Sequence, residues 1–125
     1  MQVPSELLYT EEHEWLSIDG DVATVGISDY AQGELGDVVF VELPEVGATV
    51  KQFEPFGTIE AVKAVSDLFA PVSGEVVEVN SVLNDAPETV NKSPYEEGWM
   101  IRIKMSDPEE AKQLMDADAY KEKIS

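Results

Sequence analysis

An all-β fold with minor helices is what this sequence predicts: two small sheets related by a pseudo-twofold repeat, followed by a C-terminal helix. Three observations lead there. Runs rich in β-branched residues recur between turn signals across residues 15–104. Some of those runs fall into an internal repeat. Beyond residue 106 the pattern changes to a helical one.

The elements follow in order. Residues 22–27, Val-Ala-Thr-Val-Gly-Ile, read as a strand. The hairpin signal Asp19-Gly20 precedes them, so residues 15–18 are the partner strand. Ser28-Asp29 caps a short helix through Tyr30, Ala31 and Gln32, ended by Gly33. Residues 37–43 form a second strand closed by Pro44. A third strand is expected over 57–65 and a fourth over 75–79. Residues 99–104 alternate, with Trp99, Ile101 and Ile103 on one face and Met100, Arg102 and Lys104 on the other. Ser106-Asp107-Pro108-Glu109-Glu110 starts a helix: a capping acceptor, a proline in the first turn, then acids at its positive end. Ala111, Leu114 and Met115 would share a face of it. Asp116 and Asp118 would interrupt it, and residues 119–124 would resume it as an amphipathic lid on the sheet.

The repeat pairs Gly36-Asp37-Val38-Val39-Phe40-Val41 with Gly74-Glu75-Val76-Val77-Glu78-Val79. It continues as Pro44-Glu45-Val46-Gly47-Ala48-Thr49-Val50 against Asn84-Asp85-Ala86-Pro87-Glu88-Thr89-Val90, then Gly57-Thr58-Ile59-Glu60 against Gly98-Trp99-Met100-Ile101. The offsets are 38, 40 and 41 residues. Two copies are too few for a solenoid, so two sheets sharing one core are the natural arrangement.

Composition narrows the function. With 125 residues, the chain fits a single domain over 1–125, its β core at about 15–104 and its helical segment at about 107–124. At 43% hydrophobic it has enough apolar residues for a core. Its net charge of −18 repels nucleic acid and anionic membrane surfaces, favours a monomer, and suits basic docking patches on partners. The absence of cysteine excludes disulfides, thiol nucleophiles and cysteine-bound zinc. The first ten residues lack a signal peptide's charged and apolar regions, and no apolar run is long enough to span a membrane. A cytoplasmic, unprocessed protein is expected. His13 is the sole histidine and has no HExxH-type spacing, so no metal site is expected; packing or hydrogen bonding is its expected role. Trp15 and Trp99 are assigned to the core, and Gly26, Gly33 and Gly36 to turns.

Lys63 lies between the repeat halves, in Glu60-Ala61-Val62-Lys63-Ala64. If the link between halves is a tight hairpin, a lysine at its tip projects on a rigid mount. Its amine is the one side-chain group here that forms a stable amide with an activated carboxylic acid. Asp67 and Ala70-Pro71-Val72-Ser73-Gly74-Glu75-Val76 follow. This pattern resembles the lipoyl/biotinyl attachment families, in which the modified lysine sits on a hairpin ahead of a Pro-x-x-Gly turn. The methionines that flank the lysine of biotin carriers are absent, and so is the Asp-Lys-Ala of 2-oxo acid dehydrogenase lipoyl domains.

From about Leu8 to Tyr120 the chain resembles the H proteins of the glycine cleavage system. The likeness rests on Tyr9, His13-Glu14-Trp15, Val22-Ala23-Thr24-Val25-Gly26-Ile27, Ala31-Gln32, Leu35-Gly36-Asp37-Val38-Val39-Phe40-Val41, Leu43-Pro44-Glu45-Val46-Gly47, the lysine motif, and Ser93-Pro94-Tyr95-Glu96-Glu97-Gly98-Trp99-Met100. Ala61 departs from the family, which most often has serine there. The resemblance implies a lipoyl/biotinyl-type barrel-sandwich hybrid and a non-catalytic carrier with lipoate on Lys63 as an amide. It implies as partners the pyridoxal-phosphate glycine decarboxylase (P protein), the aminomethyltransferase (T protein), dihydrolipoamide dehydrogenase (L protein) and a lipoyl-attaching enzyme. It implies also a cleft that shelters the arm carrying the aminomethyl group, where a carboxylate would stabilise the amine's positive form; Glu14 and Asp67 are the candidates. Three other readings remain at this level: a lipoyl donor or relay in lipoate assembly, a lipoyl carrier for another pathway such as sulfur oxidation, and an interaction module with an unmodified lysine.

Overall fold

The computed structural model describes residues 2–124; Met1 and Ser125, the ends of the expected 1–125 unit, lie outside them. The described residues are mostly β. A six-stranded sheet has the order β1-β2-β3-β9-β8-β5, and a three-stranded sheet the order β4-β6-β7. The strands are β1 (Leu8–Tyr9), β2 (Glu14–Asp19), β3 (Val22–Ile27), β4 (Val38–Glu42), β5 (Thr49–Val50), β6 (Pro55–Ala61), β7 (Val65–Phe69), β8 (Gly74–Val79) and β9 (Ile101–Met105). Helices α1 (Asp29–Leu35), α2 (Val82–Asp85), α3 (Thr89–Lys92) and α4 (Ala117–Ile124) are short. Neither sheet closes into a barrel. The main core lies between them, with Val25, Val38, Val41, Ile59, Leu68, Val76, Ile101 and Ile103 all buried.

The repeat is real and its register is visible. In β4–β6, Val38 faces Ala61, the ladder slips between Val38 and Phe40, and Val41 faces Ile59. In β8–β9, Val76 faces Ile103, the ladder slips between Val76 and Glu78, and Val79 faces Ile101. The same bulge thus recurs 38 residues later, once in each sheet. Ile59 corresponds to Ile101, so the third match is offset by 42 rather than 41 residues. The middle match differs in structure. Residues 49–50 form β5, which pairs with β8, whereas 89–92 form α3. There the Asn91 side chain substitutes for a strand: Oδ1 accepts from Val38 N–H at 2.9 Å, and Nδ2 donates to Gly36 C=O at 2.9 Å.

Other expectations are corrected. Strand 57–65 ends at Ala61 and the chain turns back as β7; the valines that prolong the pattern, Val62 and Val65, are exposed at 74% and 66%. Helix α1 runs past Gly33 to Leu35 and is capped by Gly36 at φ 82°. Gly26 is no turn residue: it lies in β3, and a Cβ there would stand 2.7 Å from the Trp15 indole. The alternation in β9 starts only at Ile101. Met100 is fully buried, while Trp99 is part-exposed beneath the Arg102 guanidinium, 4.1 Å from ring centre to carbon. Trp15 is core, and its Nε1–H donates to Pro94 C=O at 2.9 Å.

At the C-terminus, Asp107 caps a single 3-10 helix over Pro108–Gln113. Leu114 and Met115 are extended, and Met115 exchanges backbone hydrogen bonds with Tyr9. Asp116 does not interrupt a helix; its side chain accepts from Ala119 N–H and so opens α4, which begins at Ala117. This helix does act as a lid. Tyr120 stacks on Tyr9 with ring centres 4.4 Å apart, above Trp15 and Leu7.

Candidate functional site

Lys63 stands at the tip of the β6–β7 hairpin. Ala61 N–H donates to Ala64 C=O at 2.8 Å, leaving Val62 and Lys63 as the turn. Neither has positive φ, which two-residue hairpin turns usually require. A second tie holds the tip: Val62 N–H donates to Asp37 C=O at 3.0 Å, at the entrance to β4. Lys63 is exposed, and among the described residues no hydrogen bond or ion pair engages its amine. Its Cδ and Cε lie 3.5 Å from where a Cβ on Gly36 would stand, so that glycine leaves the stem room.

Beside the hairpin a cleft of about 270 Å³ runs between β7 and α1. Ile27, Leu35, Ile59 and Leu68 supply apolar wall; His13, Glu14 and Asp67 supply polar groups. The structure therefore brings Glu14 and Asp67, from strands of different sheets, together on one cleft, in unlike environments: Asp67 is exposed on β7, and Glu14 is 1% exposed at the start of β2. Glu14 also borders a second cavity of about 450 Å³ that includes Thr10, Phe53, Phe69 and Met115. No lysine or arginine lines either cavity.

Burial pushes the Glu14 carboxyl up to about 8, against hydrogen bonds, those of Thr10 and Phe69 foremost, that favour its ionised form. Thr10 hydroxyl donates to Oε1 at 2.5 Å, and Phe69 N–H donates to Oε2 at 3.1 Å. Asp67 sits in water at the mouth. His13 takes its expected role: Nδ1 lies 2.9 Å from the Tyr120 hydroxyl, which in turn meets Ser28 Oγ at 2.6 Å. Burial, then Lys123, holds the His13 imidazole below its usual range. Thr10, Phe69 and the apolar wall carry no sequence motif. Only the packing of the two sheets shows that position 69 backs onto position 14, since β2 and β7 belong to different sheets.

The Glu14 shift has a consequence for stability. Its folded value lies above its unfolded value of 4.5, so the folded state holds the extra proton between them. Stability from this group is full below 4.5 and is lost as pH rises through about 8, by at most about 1.4 kcal/mol per pH unit. Glu14→Gln should flatten the fall in denaturation midpoint over that window; an unchanged pH slope in urea titrations would contradict this origin.

The family model described as glycine cleavage H-protein matches residues 7–125. A glycine cleavage system H protein of Brevibacillus brevis is 61% identical over 120 residues, covering 96% of this chain and 95% of that protein. One of Staphylococcus carnosus is 56% identical over 124 residues, covering 99% and 98%. The crystal structure of a glycine cleavage system H protein from Mycobacterium marinum matches with a TM-score of 0.89 at 40% identity, covering 98% of each chain.

Proposed function

The chain belongs to the glycine cleavage H-protein family and is a lipoyl carrier of the glycine cleavage system, and we propose that Lys63 is the residue that bears the lipoyl group, as an amide. The observation that supports this reading is the free, exposed amine on a turn anchored to both β6–β7 and Asp37. A rigid mount with a mobile side chain suits a group that must enter several active sites.

The residues beside it fit such an arm. Asp67 lies four residues from Lys63 and is the third residue of β7, just beyond the turn. When bound, the lipoyl group supplies the disulfide that takes up the aminomethyl cargo. The protein's own part is to hold and shelter. Leu35, Ile27 and Leu68 keep water from the docked arm, while Glu14 and Asp67 face the positive charge of its amine. No nucleophile–base pair is needed for this, so the chain acts as a non-catalytic component. It would collect cargo from the P protein, deliver it to the T protein and be reoxidised by the L protein, after a lipoyl-attaching enzyme has modified it. Tethering raises local concentration without any new contact. The acidic surface suits transient docking to basic patches on these enzymes, as a monomer in the cytoplasm, without nucleic acid or membrane. Among the described residues no helix is long and apolar enough to cross a membrane.

Intact mass of the protein from a lipoate-competent cell tests the reading. A shift matching one lipoyl amide, mapped to Lys63, supports it; an unshifted mass rejects it. A second result is expected at the cleft. Glu14→Ala should shorten the lifetime of the aminomethyl-loaded form, about tenfold, by removing a charge-assisted partner of the amine. Equal release rates would remove Glu14 from the cleft's function.

A further inference from the structure

Thr10 is 3% exposed and carries out two reciprocal hydrogen bonds with Glu14. Its hydroxyl donates to Glu14 Oε1 at 2.5 Å and accepts from Glu14 N–H at 3.1 Å. Thr10 N–H further donates to Glu14 C=O at 3.0 Å, closing the loop that turns the chain into β2. Residue 13 within that loop has φ 73°, a conformation that non-glycine residues adopt only when their surroundings hold them there. The carboxyl is thus gripped at both oxygens, by Thr10 on one side and Phe69 N–H on the other.

We propose that Thr10 is a positioning residue for cargo retention: its hydroxyl fixes Glu14 so that the carboxylate meets the ammonium end of the docked arm. This rests on the reading of the cleft given above. The electrostatic setting explains why such a device is needed. The loop before β2 adds Glu11, Glu12 and His13, β1 adds Tyr9, β7 adds Asp67, α1 adds Tyr30 and Glu34, and Tyr120 of α4 approaches from behind. No lysine or arginine lines the two cavities that share Glu14. Among the described residues no salt bridge engages this carboxyl, and burial favours its neutral form. The Thr10 hydrogen bond works against burial and keeps the ionised form within reach. A cargo amine arriving as ammonium then displaces one proton from Glu14 to solvent; a neutral amine takes that proton itself. Either route ends in the same ammonium–carboxylate pair. Water attack on the cargo converts the thioether-bound aminomethyl group and one water into thiol, formaldehyde and ammonia. Holding the amine protonated slows that loss, because the nitrogen lone pair that would expel the thiolate is engaged.

The test uses the full lipoylated chain. Thr10→Val keeps the side-chain shape and removes the hydroxyl. Two quantities are read: the titration midpoint of the Glu14 carboxyl by carbon NMR, and the rate of formaldehyde release from the loaded protein. Thr10→Val should move the midpoint upward and speed release about tenfold, the loss of one hydrogen bond to a charged group. Thr10→Ser, which retains the hydroxyl, should match the parent in both. If Thr10→Val does not fold, Thr10→Ala removes the same hydroxyl and decides: a raised midpoint with faster release supports the proposal, and parental values of both overturn it. A Thr10→Val protein with parental midpoint and release rate also overturns it. Glu14→Gln separates this inference from the cleft reading. Fast release in Glu14→Gln with parental release in Thr10→Val sinks the role of Thr10 only, whereas parental release in Glu14→Gln sinks the cleft reading itself.

Discussion

Lys63→Arg should fold like the parent, carry no lipoyl mass and support no glycine–carbon dioxide exchange. Arginine matches the charge and approximate length of lysine, and position 63 is exposed with no partner among the described residues that a guanidinium would displace. The turn itself depends on backbone groups, Ala61 to Ala64 and Val62 to Asp37, so its geometry survives the exchange. What disappears is an amine able to lose its proton and accept an acyl group; guanidinium stays protonated and does not form the stable amide. The measurements are intact mass after expression with lipoate, thermal denaturation, and exchange of labelled carbon dioxide in the presence of the decarboxylase. Native-rate exchange by a variant of normal stability would defeat the assignment of Lys63. A variant that loses exchange together with its fold would instead show that the residue is structural.

Gly57→Ala should be the most destabilising single methyl group near the site. A Cβ at Gly57 would stand 2.2 Å from the Glu42 carbonyl oxygen and 3.3 Å from its carbon. Both are backbone atoms, so no side-chain rotation relieves the clash. The position lies where the β6–β7 register slips between Pro55 and Gly57, and just beyond the last β4–β6 pair, Glu42 with Thr58. Relief therefore requires β4 and β6 to separate in a sheet of only three strands. A loss of about 3 kcal/mol is expected, with the melting temperature about 10 °C lower. Because β6 is one arm of the lysine hairpin, lipoylation of the residual folded protein should also slow. A melting temperature within 2 °C of the parent, on the order of half a kcal/mol, would show that the strands absorb the methyl group.

Local pattern and global assembly divide the molecule between them. Two strands, β2 and β3, with their Asp19-Gly20 turn, the cap at Ser28 and the β4/β8 repeat could all be read along the chain, because alternation, turn chemistry and capping act over a few residues. The lysine motif was equally plain. Where the sequence misled, the competing influence was long-range. Val62 and Val65 prolong a strand pattern, yet the hairpin turns between them because β7 must return beside β6. Val50 and Val90 look like equivalents, yet one ends a strand and the other lies in a helix whose Asn91 pairs with β4 through its side chain.

The amino-acid order by itself determined an acidic two-sheet β protein and, through its resemblance to the lipoyl/biotinyl attachment families, one candidate acceptor amine, since charge, periodicity and a contiguous motif are all carried along the chain. Tertiary structure alone decided the environment of Glu14. Its acidity depends on Thr10, Phe69 and the space on either side of it, and those groups come from β7 and the turn into β2. A carboxyl's charge is set by the loss of water around it, and that loss exists only once separate segments have packed together.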